Sequence, residues 1–218
     1  MPRLQNQCYD GSDKVKVFID LFAGLGGASQ AFMEHPEWKV IRIDNNQDLL
    51  SETDGLQIMD LTQTDEVIRM IESQFVNGCS LNCEKLVIWA SPPCQQYSIA
   101  NPTRTPEDFD NTLLLSTLHI IEHFNPDAWI IENVKGAIEE FNDIIGQPWR
   151  QRINAMFLWG DFGLLAFKDI DSIRHHRKLD AKGSRKLRPN FRALVPFPVS
   201  LALLNVFEHQ RTLLDWME

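Results

Sequence analysis

Cysteine is scarce in this chain, with four in 218 residues at positions 8, 79, 83 and 94. So few thiols in so long a chain do not make a disulfide framework. Long apolar runs are missing as well. None approaches the ~18 residues that a membrane-spanning helix needs, and no secretory-signal pattern is visible. The expectation is an intracellular, reduced protein, in cytoplasm or nucleoid, with no membrane partner. Positive charge is also short, with 21 Lys/Arg against 30 Asp/Glu and a formal net charge of −9. That balance argues mildly against a polyanionic partner, but the distribution argues for one. Residues 1–167 hold 11 Lys/Arg and 24 Asp/Glu, whereas residues 168–192 hold nine Lys/Arg and three Asp/Glu. An acidic body carrying one compact basic segment fits a polyanion-binding footprint and fits a solvated loop equally well.

What is present is an ordinary globular composition, 44% hydrophobic and 23% charged, of a length that suits one domain with a small appendage. "KVKVFIDLFAG" reads as a buried strand running into glycines. "GGASQAFMEH" has helical spacing and is stopped by Pro36. "WKVIRIDNN" is a second strand, "GLQIMDLT" a short strand-like step, and "DEVIRMIESQF" an amphipathic helix with Val67, Ile68, Ile71 and Phe75 on one face. "EKLVIWASPPC" is another buried strand. "TPEDFDNTLLLSTLHIIEHF" reads as a helix begun at Thr105 or Pro106, and "DAWIIENV" and "MFLWGDF" as strands. Strands alternating with helices through residue 145 imply an α/β fold, a mostly parallel sheet with helices on both faces. Such sheets bind ligands at the carboxyl ends of their strands. The polar clusters "DLFAGLGG", "RIDNN", "MDLT", "SPPCQQ" and "IENV" all fall there. Trp38, Trp89, Trp129 and Trp159 flank or sit in strands and read as core.

The turn "FIDLFAGLGGAS" has glycines at 24, 26 and 27, which allow a tight turn and close approach of a ligand to the backbone. Its spacing differs from the dinucleotide pattern, and nothing basic follows to hold a phosphate. A nucleoside without phosphates fits better, with Asp44 toward ribose hydroxyls and Asp60 toward an adenine amino group. Cys94 ends a strand in a turn stiffened by Pro92 and Pro93. Glu132 closes a later strand between apolar residues, where partial desolvation raises its pKa and lets it donate a proton. Taken singly, Cys94 packs as a small apolar residue and Glu132 caps a helix. Taken together, a thiol that attacks an electron-poor ring carbon and an acid that protonates the ring nitrogen form a specific pair.

In the order "DLFAGLGG", "MDLT", "SPPCQQYS", "IENV", the chain resembles the DNA cytosine-5 methyltransferase family over about residues 16–160. The resemblance implies a Rossmann-like, S-adenosylmethionine-dependent methyltransferase fold. It implies a catalytic, cofactor-binding domain at 1–160, a short basic nucleic-acid-contacting segment at 161–192, and a C-terminal helix packing back at 193–218. It implies S-adenosyl-L-methionine as cofactor, held by Asp20, Phe22, Ala23, Gly24, Gly26, Asp44, Asp60, Leu61, Pro93 and Ser200. Cys94, Glu132, Asn133 and Arg152 would carry the chemistry. Gln95, Ser98, Arg174, Arg177, Lys178 and Arg185 would contact DNA, either a duplex with a flipped cytosine or a single strand.

Four departures from the family pattern stand out. Arg42 occupies the place of a usual Glu. The expected Gln-x-Arg-x-Arg element reads "WRQRINAMFLWG", with Gln151 kept and Ile153 and Ala155 where arginines belong, leaving Arg150 or Arg152 to substitute. Only roughly 30 residues (161–192) stand where most relatives carry a large target-recognition region. "PFPVSLALLNVF" matches the final motif loosely, at Ser200. So short a segment positions few base readers, which predicts a short or relaxed target, or help from a partner or homodimer. Metal ligation is not expected. "HIIEH", with His119 and His123, lacks a third ligand, and Cys79 with Cys83 lacks a second pair. His175 and His176 lie in the basic run. The competing functions are a cytosine-5 methyltransferase on structured RNA, a catalytically silent binding module, and a nicotinamide oxidoreductase.

Overall fold

A computed structural model describes residues 15–75, 83–99, 101, 103, 105, 109–170, 173 and 187–209. Seven strands form one sheet: β1 (Val15–Leu21), β2 (Trp38–Asp44), β3 (Leu56–Ile58), β4 (Cys83–Ala90), β5 (Ala128–Val134), β6 (Gln151–Ile153) and β7 (Met156–Asp161). Their spatial order is β3-β2-β1-β4-β5-β7-β6. β1 to β5 are parallel, and β7 runs antiparallel between β5 and β6. The α/β reading holds: the sheet is mostly parallel, of the Rossmann-like methyltransferase kind. The order of strands reverses between β1 and β4, and that crevice is where such sheets bind ligands.

The sequence pattern explains the layers. Side chains alternate across a strand. In β1, Val17, Ile19 and Leu21 face one core while Phe18 faces the other; in β4, Leu86, Ile88 and Ala90 oppose Val87 and Trp89. The first core is covered by α2 (Thr64–Phe75), α3 (Thr112–Phe124) and α4 (Ile138–Ile145). The second is covered by α1 (Gln30–Met33) and α6 (Phe197–His209); a short α5 (Arg188–Ala193) precedes α6. Both faces are apolar, which is why these strands read as continuous hydrophobic runs. Trp38, Trp89 and Trp159 are buried, and Trp129 is half-buried. Lys16 ties α6 to the sheet by pairing with Glu208, which also accepts from the Trp38 indole at 2.6 Å.

Two helices are shorter than their spacing suggested. α1 spans only Gln30–Met33, because Gly26 has a φ of +74° that no α-helix accommodates. α3 begins at Thr112 rather than at Thr105 or Pro106. The Gln96 side chain donates to the Asp110 carbonyl and accepts from the Asp110 N–H, fixing that backbone to the turn after β4. The Asp110 carboxylate then accepts from the Thr112 N–H and starts the helix about two turns later than Thr105 would. Pro106 lies outside the described residues.

Candidate active site

At the carboxyl ends of β1, β2, β4 and β5 lies an open cavity of about 500 Å³. Four segments of the first 134 residues build it, and α5 with the residues after it closes one side.

The first wall is the glycine-rich turn after β1. Phe22, Gly24 and Gly26 all have left-handed backbone, with φ of 60°, 53° and 74°. For Phe22 that conformation costs about 1–2 kcal/mol, which glycine would avoid. Phe22, Ala23 and Gly24 line the cavity. Asp44, at the end of β2, accepts from the Gly24 N–H and from the Asn46 N–H, both at 2.9 Å, and so holds the turn in shape while facing the same space.

Behind the turn sits the Arg42 departure, and the structure gives its reason. Arg42 is buried and donates to Ser29 Oγ, the Gly26 carbonyl and the Asp54 carbonyl. Ser29 in turn donates to Asp20 at 2.5 Å. Burial pushes the Asp20 carboxyl up to about 6, against the lowering pull of Ser29 and Arg42. A Cβ on Gly26 would stand 2.6 Å from the guanidinium carbon. Gly26 therefore makes room for Arg42 and is not on the cavity wall, whereas Asp20 is.

The second wall is "SPPC". Ser91, Pro92, Pro93, Cys94 and Gln95 follow β4 and line the cavity. The Asn133 amide, buried at the end of β5, donates to the Pro92 carbonyl at 2.9 Å and accepts from the Val134 N–H. Asn133 thus holds the turn that carries the thiol rather than the cavity itself. Glu132, one residue earlier, does line the cavity. Burial raises its carboxyl to about 7, partly offset by a hydrogen bond from Ser91. Ser91 also accepts from the Trp89 indole at 2.8 Å. The Cys94 thiol is pushed up by burial and by Glu132, and drawn down by its backbone hydrogen bond and by Arg192. Thiol and carboxyl therefore share one space and feel each other's charge.

Several expected residues fall elsewhere. Asp60 is exposed, with its carboxylate taken by the Thr62 N–H and hydroxyl, while Leu61 beside it lines the cavity. Ser200 is buried between helices; it donates to the Ala28 carbonyl and accepts from the Ala31 N–H, fastening α6 to α1. Ser98 gives its N–H to the Cys94 carbonyl. Arg152 is turned to solvent by the tight β6–β7 connection, where it donates to the Asn154 carbonyl and lies over Phe157. Arg150 lies over Phe162, and Gln151 exchanges two hydrogen bonds with the Leu165 backbone. Arg174, Arg177, Lys178 and Arg185 lie outside the described residues, as do His175, His176 and Cys79. His123 pairs with Glu72 at 3.0 Å.

Sequence reasoning missed two contributors. Ser91 was signalled only by its place at a strand end. α5 brings Asn190 and Arg192 to the cavity, and nothing in its short polar sequence announced that.

A seven-stranded sheet of this order, with a thiol and a raised carboxyl at its ligand-binding edge, is an α/β fold of the Rossmann-like methyltransferase kind. The C-5 cytosine-specific DNA methylase family matches residues 17–156, and the chain belongs to that family. It is 32% identical over 119 residues to the type II methyltransferase M.HpaII of Haemophilus parainfluenzae, covering 55% of this chain and 31% of that protein. To the type II methyltransferase M.AgeI of Thalassovita gelatinovora it is 27% identical over 173 residues, covering 74% and 38%. The chain thus spans about a third of the length of these relatives. Among solved structures, the Entamoeba histolytica methyltransferase EhMeth matches 61% of this chain and 43% of its own at 24% identity, with a TM-score of 0.43.

Proposed function

We propose that this protein methylates carbon 5 of cytosine in DNA through a covalent adduct between Cys94 and carbon 6. The observation that carries the reading is that Cys94 and Glu132 line one cavity together with the glycine-rich turn after β1. The residues fit the cofactor. A Cβ on Gly24 would find its nearest neighbour 3.9 Å away, so the backbone there is open to a ligand. No lysine or arginine lies in residues 28–38 after the turn to hold a phosphate, as suits S-adenosylmethionine. Phe22, Ala23, Gly24, Asp44, Leu61 and Pro93 would hold it, and when bound it supplies an electrophilic methyl group to the cytosine.

The chain's own residues do the rest. Cys94 Sγ, as thiolate, bonds to carbon 6, and Glu132 delivers its proton to ring nitrogen 3. The ring then carries enamine character at carbon 5, which takes the methyl group. Solvent takes the carbon 5 proton, the electron pair left behind forms the carbon 5–carbon 6 double bond, the Sγ–carbon 6 bond breaks to release the thiolate, and nitrogen 3 returns its proton to Glu132. Asn133 fixes the Cys94 turn throughout. The target base has to leave the duplex or be unpaired, because no atom of the cavity can reach into a stacked helix.

Covalent trapping tests this. Incubation with 5-fluorocytosine DNA and S-adenosylmethionine is expected to leave the native protein attached to DNA, since fluorine cannot leave as a proton does. Cys94→Ser should give no adduct. Adducts formed on RNA alone would reassign the substrate, and no adduct on either would leave a silent binding module.

A further inference from the structure

Among the described residues, the cavity wall carries three carboxylates, Asp20, Asp44 and Glu132, and a single cationic side chain, Arg192. Cys94 opens onto this acidic space. A thiol has to lose its proton to become a nucleophile, and surrounding carboxylates oppose that loss. The arginines expected from the sequence do not help, because Arg150 and Arg152 lie over Phe162 and Phe157, off the cavity wall. Arg192 is differently placed. Its helix, α5, is anchored on both sides: Leu187 packs with Ala23, Leu49 and Leu56, and the Val195 carbonyl lies against Gly27. Among the described residues no hydrogen bond or ion pair holds its guanidinium, and the side chain is exposed toward the cavity.

We infer that Arg192 is the positioning cation of this site: carried on α5 at the cavity wall, it favours the anionic form of Cys94 and so raises the reactivity of the thiol. The inference rests on the reading of Cys94 as the nucleophile. The charged groups that line the cavity with the thiol are Asp20 from β1, Asp44 from β2, Glu132 from β5 and Arg192 from α5, of which Glu132 and Arg192 act on Cys94, while α3 contributes the uncharged Leu113. Of these charged groups Arg192 favours the thiolate, as the Cys94 backbone hydrogen bond also does, and its pull on Cys94 is opposite to that of Glu132. One charge across a partly solvated gap changes a thiolate fraction by about three- to tenfold.

The test needs neither DNA nor cofactor. Alkylation of Cys94 by iodoacetamide is followed against pH, by peptide mass spectrometry, in native protein, Arg192→Gln and Arg192→Lys. Arg192→Gln should alkylate about three- to tenfold more slowly near neutral pH, with its midpoint moved upward. Arg192→Lys should keep most of the native rate. Cys83, at the far end of β4, should react alike in all three and reports intact folding. An unchanged Cys94 profile in Arg192→Gln overturns the inference. Slowing of Cys83 and Cys94 together overturns it as well, because the effect would then not be local. If native protein fails to trap 5-fluorocytosine while the alkylation shift is present, the methyltransferase reading falls and the electrostatic pairing stands.

Discussion

Glu132 holds a proton that an ordinary glutamate has already lost at neutral pH. Its carboxyl titrates at about 7 in place of 4.5, because burial disfavours the anion more than Ser91 favours it. Between those values the folded chain binds a proton that the unfolded chain does not. The stability from that proton is full below about 4.5 and is lost as pH rises through about 7. Asp20, raised to about 6, adds to the same slope. Melting temperature should therefore fall between about pH 5 and 8, and Glu132→Gln should flatten the fall. The same substitution removes the proton donor, so kcat should drop by about 10²–10⁴-fold. Cofactor binding should be nearly unchanged, measured by calorimetric titration with S-adenosylmethionine. The shared placement of Cys94 and Glu132 was legible in the sequence, because both lie at or just beyond the carboxyl ends of buried parallel strands. The arginines were not legible. Whether a guanidinium lies over Phe157, threads behind Gly26 or opens onto the cavity depends on packing between distant segments.

Among the elements, the glycine turn and the α5–α6 junction depend on each other. A Cβ on Gly27 would collide with the Val195 carbonyl, which is backbone and cannot swing aside. Gly27→Ala should therefore push α5 and α6 away from the turn. We expect a stability loss of about 1–3 kcal/mol in urea unfolding, together with weaker S-adenosylmethionine binding. A substitution at the exposed Gly55, which has open space around it, serves as the control, although its φ of +71° makes it mildly unfavourable. Strands were read well from the sequence because both sheet faces are apolar and their runs are unbroken. Helix starts were read less well. α3 is set by the Gln96–Asp110 exchange, a contact between two loops that no local pattern reveals. Ser200 likewise resembled a cofactor contact, but the close packing of α6 on α1 turns it to the helix backbone.

For the whole molecule, the charge distribution and the short 161–192 segment set what can be recognised. An acidic body repels DNA, and nine Lys/Arg between residues 168 and 192 must outweigh that repulsion. DNA binding should weaken steeply with added salt, because phosphate contacts release counterions. A segment this short holds few side chains against base edges, so methylation mapping should give a di- or trinucleotide target. A site of about five or more fixed bases would overturn that expectation.

The cavity wall is assembled from both ends of the described chain. Residues 20 to 134 give the turn, the thiol and the acid, and residues 189 to 195 give the closing side. On a ribosome these parts appear far apart in time. The residues of β1 to β5, with Cys94 and Glu132, emerge before those of α5. Until the stretch through Val195 has left the exit tunnel, Gly27 has nothing to seat and Cys94 has no neighbouring cation. On the inference drawn above, the pull of Arg192 on the thiol is gained only when residues 187–195 are in place.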